Sequence, residues 1–169
     1  MHSFGRDQAF VTEGIPEDAI VCFCWGEIDC RAHINKFPPY QDTIDRLVER
    51  YLEAIKINWR PVRNVWIYNV VPPARTRFEW EGQMIDTPQN LSVPFVGTDE
   101  ERLSYVRYMN KKLRESGYTF VDIYDKYCDK DGYLLTDNVA SDFIHIMNPE
   151  PLKDWVKNKL EEIEKEGDI

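Results

Sequence analysis

The run Ala19 to Trp25 (AIVCFCW) constrains the fold of this chain more than any other segment. It is apolar throughout, follows the turn-like Gly14-Ile15-Pro16, and stops at Gly26. A strand with one wet face alternates apolar and polar residues. A short unbroken run therefore predicts a strand covered on both faces, as in a parallel sheet. The downstream pattern agrees. From Gln41 to Ile57, the residues Ile44, Leu47, Val48, Tyr51, Leu52 and Ile55 recur at helical spacing and predict an amphipathic helix. Asn64 to Val71 (NVWIYNVV) predicts a second strand, stopped by Pro72-Pro73. Pro72 to Gly97 reads as an irregular segment, longer than the roughly 12–15 residues beyond which such loops are usually functional or disordered. Thr98-Asp99-Glu100-Glu101 is a capping box, which opens a helix running to about Ser116, with Gly117 as its stop. Tyr118 to Ile123 predicts a third strand, and Asp129-Lys130-Asp131-Gly132 a polar turn. A last helix is expected from Asn148 as cap and Pro149 as first helical residue, burying Leu152, Trp155, Val156, Leu160 and Ile163. Strands alternating with helices imply an α/β fold, a three-layer α/β/α sandwich around a mostly parallel, doubly wound (flavodoxin-like) sheet.

Charge narrows the partners. Lys plus Arg number 21 and Asp plus Glu 30, a net charge of −9. That balance argues against nucleic acid, whose phosphates need a basic face, and against an anionic membrane surface. The longest apolar run is far short of the roughly 20 residues a membrane span needs. The expectation is a soluble, cytoplasmic protein of one domain spanning residues 1–169. Of the four cysteines, Cys22 and Cys24 share one face of a strand and are expected to point into packing. With Cys30 and Cys128 they could in principle supply four thiolates to zinc, but the spacing is not that of a zinc knuckle, and buried reduced thiols are expected. Trp25, Trp59, Trp66 and Trp155 are expected in the core, while the loop context of Trp80 leaves a binding role open.

Sites in such folds form outside the carboxyl ends of the strands, which singles out Gly26 to His33 and Val139 to His145. In Asp142-Phe143-Ile144-His145, a carboxylate three residues before an imidazole can accept its ring N–H, leaving the other nitrogen as a general base. The plain alternative is a turn aspartate and a surface histidine. Gly26-Glu27-Ile28-Asp29-Cys30-Arg31 permits a sharp turn and sets Glu27, Asp29 and Arg31 at a strand end. Its plain alternative is a solvated loop with a local Asp–Arg pair. His33 is expected to be exposed. A metal site from Glu27, Asp29, His33 and His145 is conceivable, but nothing in the spacing demands it, so neither metal nor cofactor is expected.

The strand followed by Gly26-Glu27-Ile28-Asp29, together with Asp142-x-x-His145 before the last helix, resembles the third and fifth blocks of the SGNH (GDSL-like) hydrolases. The nearest similarity is to a bacterial and viral subgroup carrying GEIDCR in place of the usual Gly-x-Asn-Asp. The resemblance implies a serine ester hydrolase with His145 as base and Asp142 as its orienter. It also implies an oxyanion hole built from the nucleophile's N–H, a second-block glycine and a third-block Asn. The substrate implied is a small-molecule or glycan ester, with an acyl group removed from or moved on a sugar, and Arg75, Arg77 and Trp80 as contacts.

This chain departs from the family in two places. Ile28 stands where the oxyanion Asn is expected, so that donor is missing or replaced, by Arg31 or by a backbone N–H. No serine among Ser3, Ser92, Ser104, Ser116 and Ser141 follows Gly-Asp, and Met1 to Asp7 resembles the second block instead, with Gly5 as its glycine. The expectation is a domain lacking the N-terminal Gly-Asp-Ser block and its strand. Three explanations stay open: a nucleophile upstream, Ser3 acting from the N-terminus, or a degenerate fold that binds a glycan or other ligand without turnover. A missing first strand would leave a sheet edge for a second copy to cover, so a homo-oligomer is a further expectation.

Overall fold

A computed structural model describes residues 14–16, 18–58, 64–87, 94–138 and 145–166. The strands are β1 (Ile20–Phe23), β2 (Asn64–Tyr68), β3 (Arg77–Trp80), β4 (Gln83–Asp86) and β5 (Thr119–Val121). The long helices are α1 (Tyr40–Asn58), α2 (Asp99–Arg114) and α3 (Glu150–Glu166). Strands β1, β2 and β5 form a parallel sheet in that order, Ile20 opposite Asn64 and Trp66 opposite Thr119. The result is a mixed helix and strand architecture with a small parallel sheet.

Side chains of β2 alternate between two apolar clusters, because successive residues of a strand point to opposite faces. Val65 and Ile67 join the cluster containing Leu47, Tyr51 and Ile55 of α1 and Val106, Met109 and Leu113 of α2. Trp66 and Tyr68 join the other, against which Leu152, Trp155, Val156 and Leu160 of α3 pack. Trp66 and Trp155 meet edge to face, with centroids 5.4 Å apart. The stripe of α1 read from spacing is buried apart from the half-buried Leu52, whereas that of α3 packs on the sheet but stays half-buried. The capping box forms as expected, the Thr98 hydroxyl accepting from Glu101 N–H and the Glu101 carboxylate from Thr98 N–H. Asn148 accepts from Glu150 N–H at 3.1 Å, the bond of an N-cap residue whose first helical position is Pro149.

Where β2 leaves the sheet, two buried asparagines satisfy its backbone. Asn110 of α2 accepts from Val70 N–H (2.6 Å) and donates to Val70 C=O (2.8 Å). Asn69 donates to the same carbonyl (3.0 Å) and accepts from Ile123 N–H beyond β5 (3.0 Å).

Several expectations are corrected. The segment after Pro72 is not wholly irregular: β3 and β4 pair as an antiparallel hairpin, Arg77 opposite Asp86. Its two-residue turn, Glu81-Gly82, has positive φ at both positions (49° and 76°), the geometry that matches strand twist in a tight hairpin. Cys22 and Cys24 do not point into packing but are exposed, as is Trp25 at 40 %. Cys30 is the buried thiol, donating toward the Met109 sulfur at 3.9 Å. Burial, with the Asp29 and Glu27 charges nearby, raises its pKa well above the ordinary thiol range and keeps it neutral. No described helix is long and apolar enough to cross a membrane.

Candidate functional site

The chain turns sharply out of β1 at Gly26, which is buried with φ of 113°, a conformation closed to residues with a Cβ. Beyond it the chain forms a helical turn, Asp29–His33, rather than a loop. Helical spacing brings residues four apart onto one face, and this decides the pairing. Arg31 therefore grips Glu27, Nε to Oε1 at 2.6 Å and Nη2 to Oε2 at 3.2 Å, and not Asp29 as a loop would allow. Asp29, 2 % exposed, instead faces His33, whose Nδ1 lies 3.5 Å from its Oδ1 while the ring stays part exposed. The two-pronged Arg–Glu contact is the strong, charge-assisted kind.

A second arginine holds this turn in place. Arg102 of α2 is fully buried, pairs with Asp99, and donates to Gly97 C=O at 2.7 Å. Burial works against its charge and Asp99 supports it. Phe95 lies between the two guanidinium groups, 5.5 Å from Arg31 and 4.9 Å from Arg102. Val96 N–H donates to Arg31 C=O at 2.9 Å. Asp99 also accepts from the Thr76 N–H and hydroxyl, both at 3.1 Å. The exits of β1 and β2 and the start of α2 are thereby bonded into one unit. A small cavity opens among Glu27, Arg31, Ala74, Phe95 and Arg102.

A larger cavity, about 210 Å³, adjoins it through Ala74 and is lined by Arg75, Phe78, Glu79, Asp129, Leu134 and Thr136. Arg75 Nη2 bridges Asp129 (3.2 Å) and Asp131 (3.0 Å), and its guanidinium sits 3.8 Å from the Tyr133 ring centroid. The polar turn is wound around Asp129, whose Oδ1 accepts from the N–H groups of Asp131, Gly132 and Tyr133. Burial disfavours the Asp129 charge, but those N–H groups and Arg75 outweigh it and hold the carboxyl below its ordinary range. The two cavities run past the exits of β1 and β2 to the segment after β5, where ligands of parallel α/β sheets lie.

The remaining expected residues divide as follows. Ser3, Gly5 and Asp142 lie outside the described residues, as does Trp59. His145 is exposed and opens the segment 145–166. Its neighbour Ile146 packs against the cluster of Tyr68, Ile123 and Leu134, and the Tyr127 hydroxyl donates to Asn148 C=O at 2.7 Å. Arg77 is exposed and pairs with Asp86. Ile28 is 46 % exposed and offers no side-chain donor. Among the described residues no three His, Cys, Asp or Glu side chains converge as metal ligands. Phe95, Arg102 and Tyr133 were not singled out by sequence. Arg102 alone carried a signal, a charge set in the apolar stripe of α2 with Val106, Met109 and Leu113. No protein-family model, curated protein or solved structure matches the chain.

Proposed function

We propose that this chain is a serine ester hydrolase of SGNH type, an acyl-group esterase on a three-layer α/β/α sandwich, acting on a small-molecule or glycan ester. The observation that carries the reading is the tie between the His145 segment and the sheet. Ile146 and Asn148 are held against residues that follow β5, while Gly26 to Arg31 leave the end of β1 in the same sheet. That the segment from His145 onward and the turn after β1 both attach to this one parallel sheet supports reading them as the family's fifth and third blocks. In this reading a serine hydroxyl attacks the acyl carbonyl and its proton passes to His145, oriented by Asp142. His145 returns that proton to the departing alcohol, and water then releases the acyl group by the reverse sequence. Ser3 is the serine nearest the block resembling the second of the family; Gly5, Gly26 and the backbone of the Glu27 to Arg31 turn are the oxyanion-side candidates.

A second reading, a binding module without turnover, rests on Ile28, which cannot supply the expected oxyanion hydrogen bond; loss of one such donor costs about 10²–10³ in rate. Labelling with a fluorophosphonate, read by intact mass and peptide mapping, separates the two. The esterase reading expects an adduct on one serine, absent in His145→Ala, and hydrolysis of 4-nitrophenyl acetate lowered by at least about 10²-fold in that variant. Hydrolysis unchanged in His145→Ala refutes the mechanism. Absence of both adduct and turnover supports the binding module.

A further inference from the structure

We infer that the 210 Å³ cavity beside Arg75 is a binding site for an uncharged, polyhydroxylated group of about one sugar ring, and that it rejects anions. An arginine in a cleft ordinarily suggests an anion receptor, but here its charge is already spent. Asp129 and Asp131 share its Nη2, and of the carboxylates Asp129 and Glu79 line the cavity itself. One guanidinium against two lining carboxylates, with Asp131 behind, leaves a negative balance, and the hydrogen bonds at Asp129 hold its carboxyl below the ordinary range.

The cavity offers hydrogen bonding of mixed sign. Among the described residues, the Arg75 Nε and Nη1 donors, the Glu79 carboxylate and the Thr136 hydroxyl have no hydrogen-bond partner, and all three side chains line the cavity. Arg75 only donates, an ionised Glu79 only accepts, and Thr136 does both. A sugar hydroxyl serves all three, donating to Glu79 while accepting from Arg75, and a ring carries several such hydroxyls side by side. An ammonium leaves the Arg75 donors unmet; a carboxylate or phosphate is repelled by Glu79 and Asp129. Phe78 and Leu134 supply apolar surface for the C–H faces of a ring. The volume lies below the roughly 300–1,000 Å³ of sites that enclose a drug-sized ligand, in keeping with a single ring. Tyr133 stacked on the guanidinium, with the two aspartates, holds Arg75 in place before any ligand arrives.

The binding claim stands on the cavity alone; that the bound group is the alcohol part of an ester substrate rests on the function proposed above. The test is a titration of the isotope-labelled full chain, followed by backbone NMR. Its ligands are a panel of uncharged monosaccharides (glucose, galactose, mannose, N-acetylglucosamine) and the uronates glucuronate and galacturonate. The expected result is saturable shifts at Ala74 to Glu79 and Asp129 to Thr136 with at least one uncharged sugar. At low salt the uronates should bind about threefold more weakly, the repulsion of two like charges near 6 Å at the dielectric constant of water. Glu79→Gln should bring the uronates closer to the uncharged sugars, and Thr136→Val should weaken the uncharged sugar without altering that ratio. Shifts confined to other surfaces, no shifts with any uncharged sugar, or tighter binding of a uronate overturn the inference. Esterase activity without sugar binding refutes it while sparing the esterase. Sugar binding without turnover supports it while counting against the esterase.

Discussion

Asn110→Leu tests whether the exit of β2 is held as described. The side chain is 7 % exposed and makes two bonds to one residue, accepting from Val70 N–H and donating to Val70 C=O. The two losses are unequal. Val70 C=O keeps the Asn69 amide at 3.0 Å, whereas among the described residues Val70 N–H has no other acceptor. Leucine has the same branching and heavy-atom count but no hydrogen-bonding group, and its methyls are bulkier, so the cost is that of one stranded, buried donor, about 1–3 kcal/mol, with any overpacking adding to it. Taking about 2 kcal/mol, the melting temperature should fall by about 4–8 °C for a domain of this size. Urea unfolding followed by tryptophan fluorescence measures this directly, with an unchanged slope showing that the unfolded state is unaffected. Ser104→Ala, on the exposed face of the same helix, is the control and should stay within about 0.5 kcal/mol. A loss under about 0.5 kcal/mol for Asn110→Leu would mean that Val70 N–H is satisfied in another way and that the account of this exit is wrong.

Three further outcomes are expected. Thr98→Ala removes one half of the capping box at the start of α2 and should cost about 1 kcal/mol in the same urea assay; no change would show the cap to be replaced by water. Asp129 has its pKa lowered in the folded state, so its contribution is present above the ordinary carboxylate value of about 3.9 and is lost as pH falls through the folded value. Asp129→Asn should accordingly flatten the acid limb of a stability-against-pH curve and lower stability at neutral pH; an unaltered acid limb removes Asp129 from that account. A double-mutant cycle on Trp66→Leu and Trp155→Leu, read by urea unfolding, should return a coupling of about 0.5–1.5 kcal/mol for the edge-to-face pair; strict additivity would deny that the rings stabilise each other.

How much of this was legible beforehand depends on the range of the forces involved. Helical spacing marked the buried stripe of α1 from Ile44 to Ile55, and Thr98 with Glu101 marked the start of α2, because spacing and capping are decided within one or two turns of chain. The β3–β4 hairpin was missed although its residues carry a signal. Glu81-Gly82 is a two-residue turn flanked by Arg77-Phe78-Glu79-Trp80 and Gln83-Met84-Ile85-Asp86, and the prolines and charges around it obscured the alternation.

The sequence by itself determined the order and kind of the principal elements, from the apolar run of β1 to the proline-led start of α3, since each follows from local periodicity and backbone chemistry. Only the tertiary structure decided that Arg31 pairs with Glu27 rather than Asp29, that Cys30 is buried while Cys22 and Cys24 are exposed, and that Arg102 and Phe95 brace the turn after β1. It also decided that Arg75 is neutralised by aspartates more than fifty residues away. Such pairings depend on which surfaces meet once helices and strands pack, and a hydrogen bond or buried charge between distant residues leaves no periodic trace in the chain that makes it.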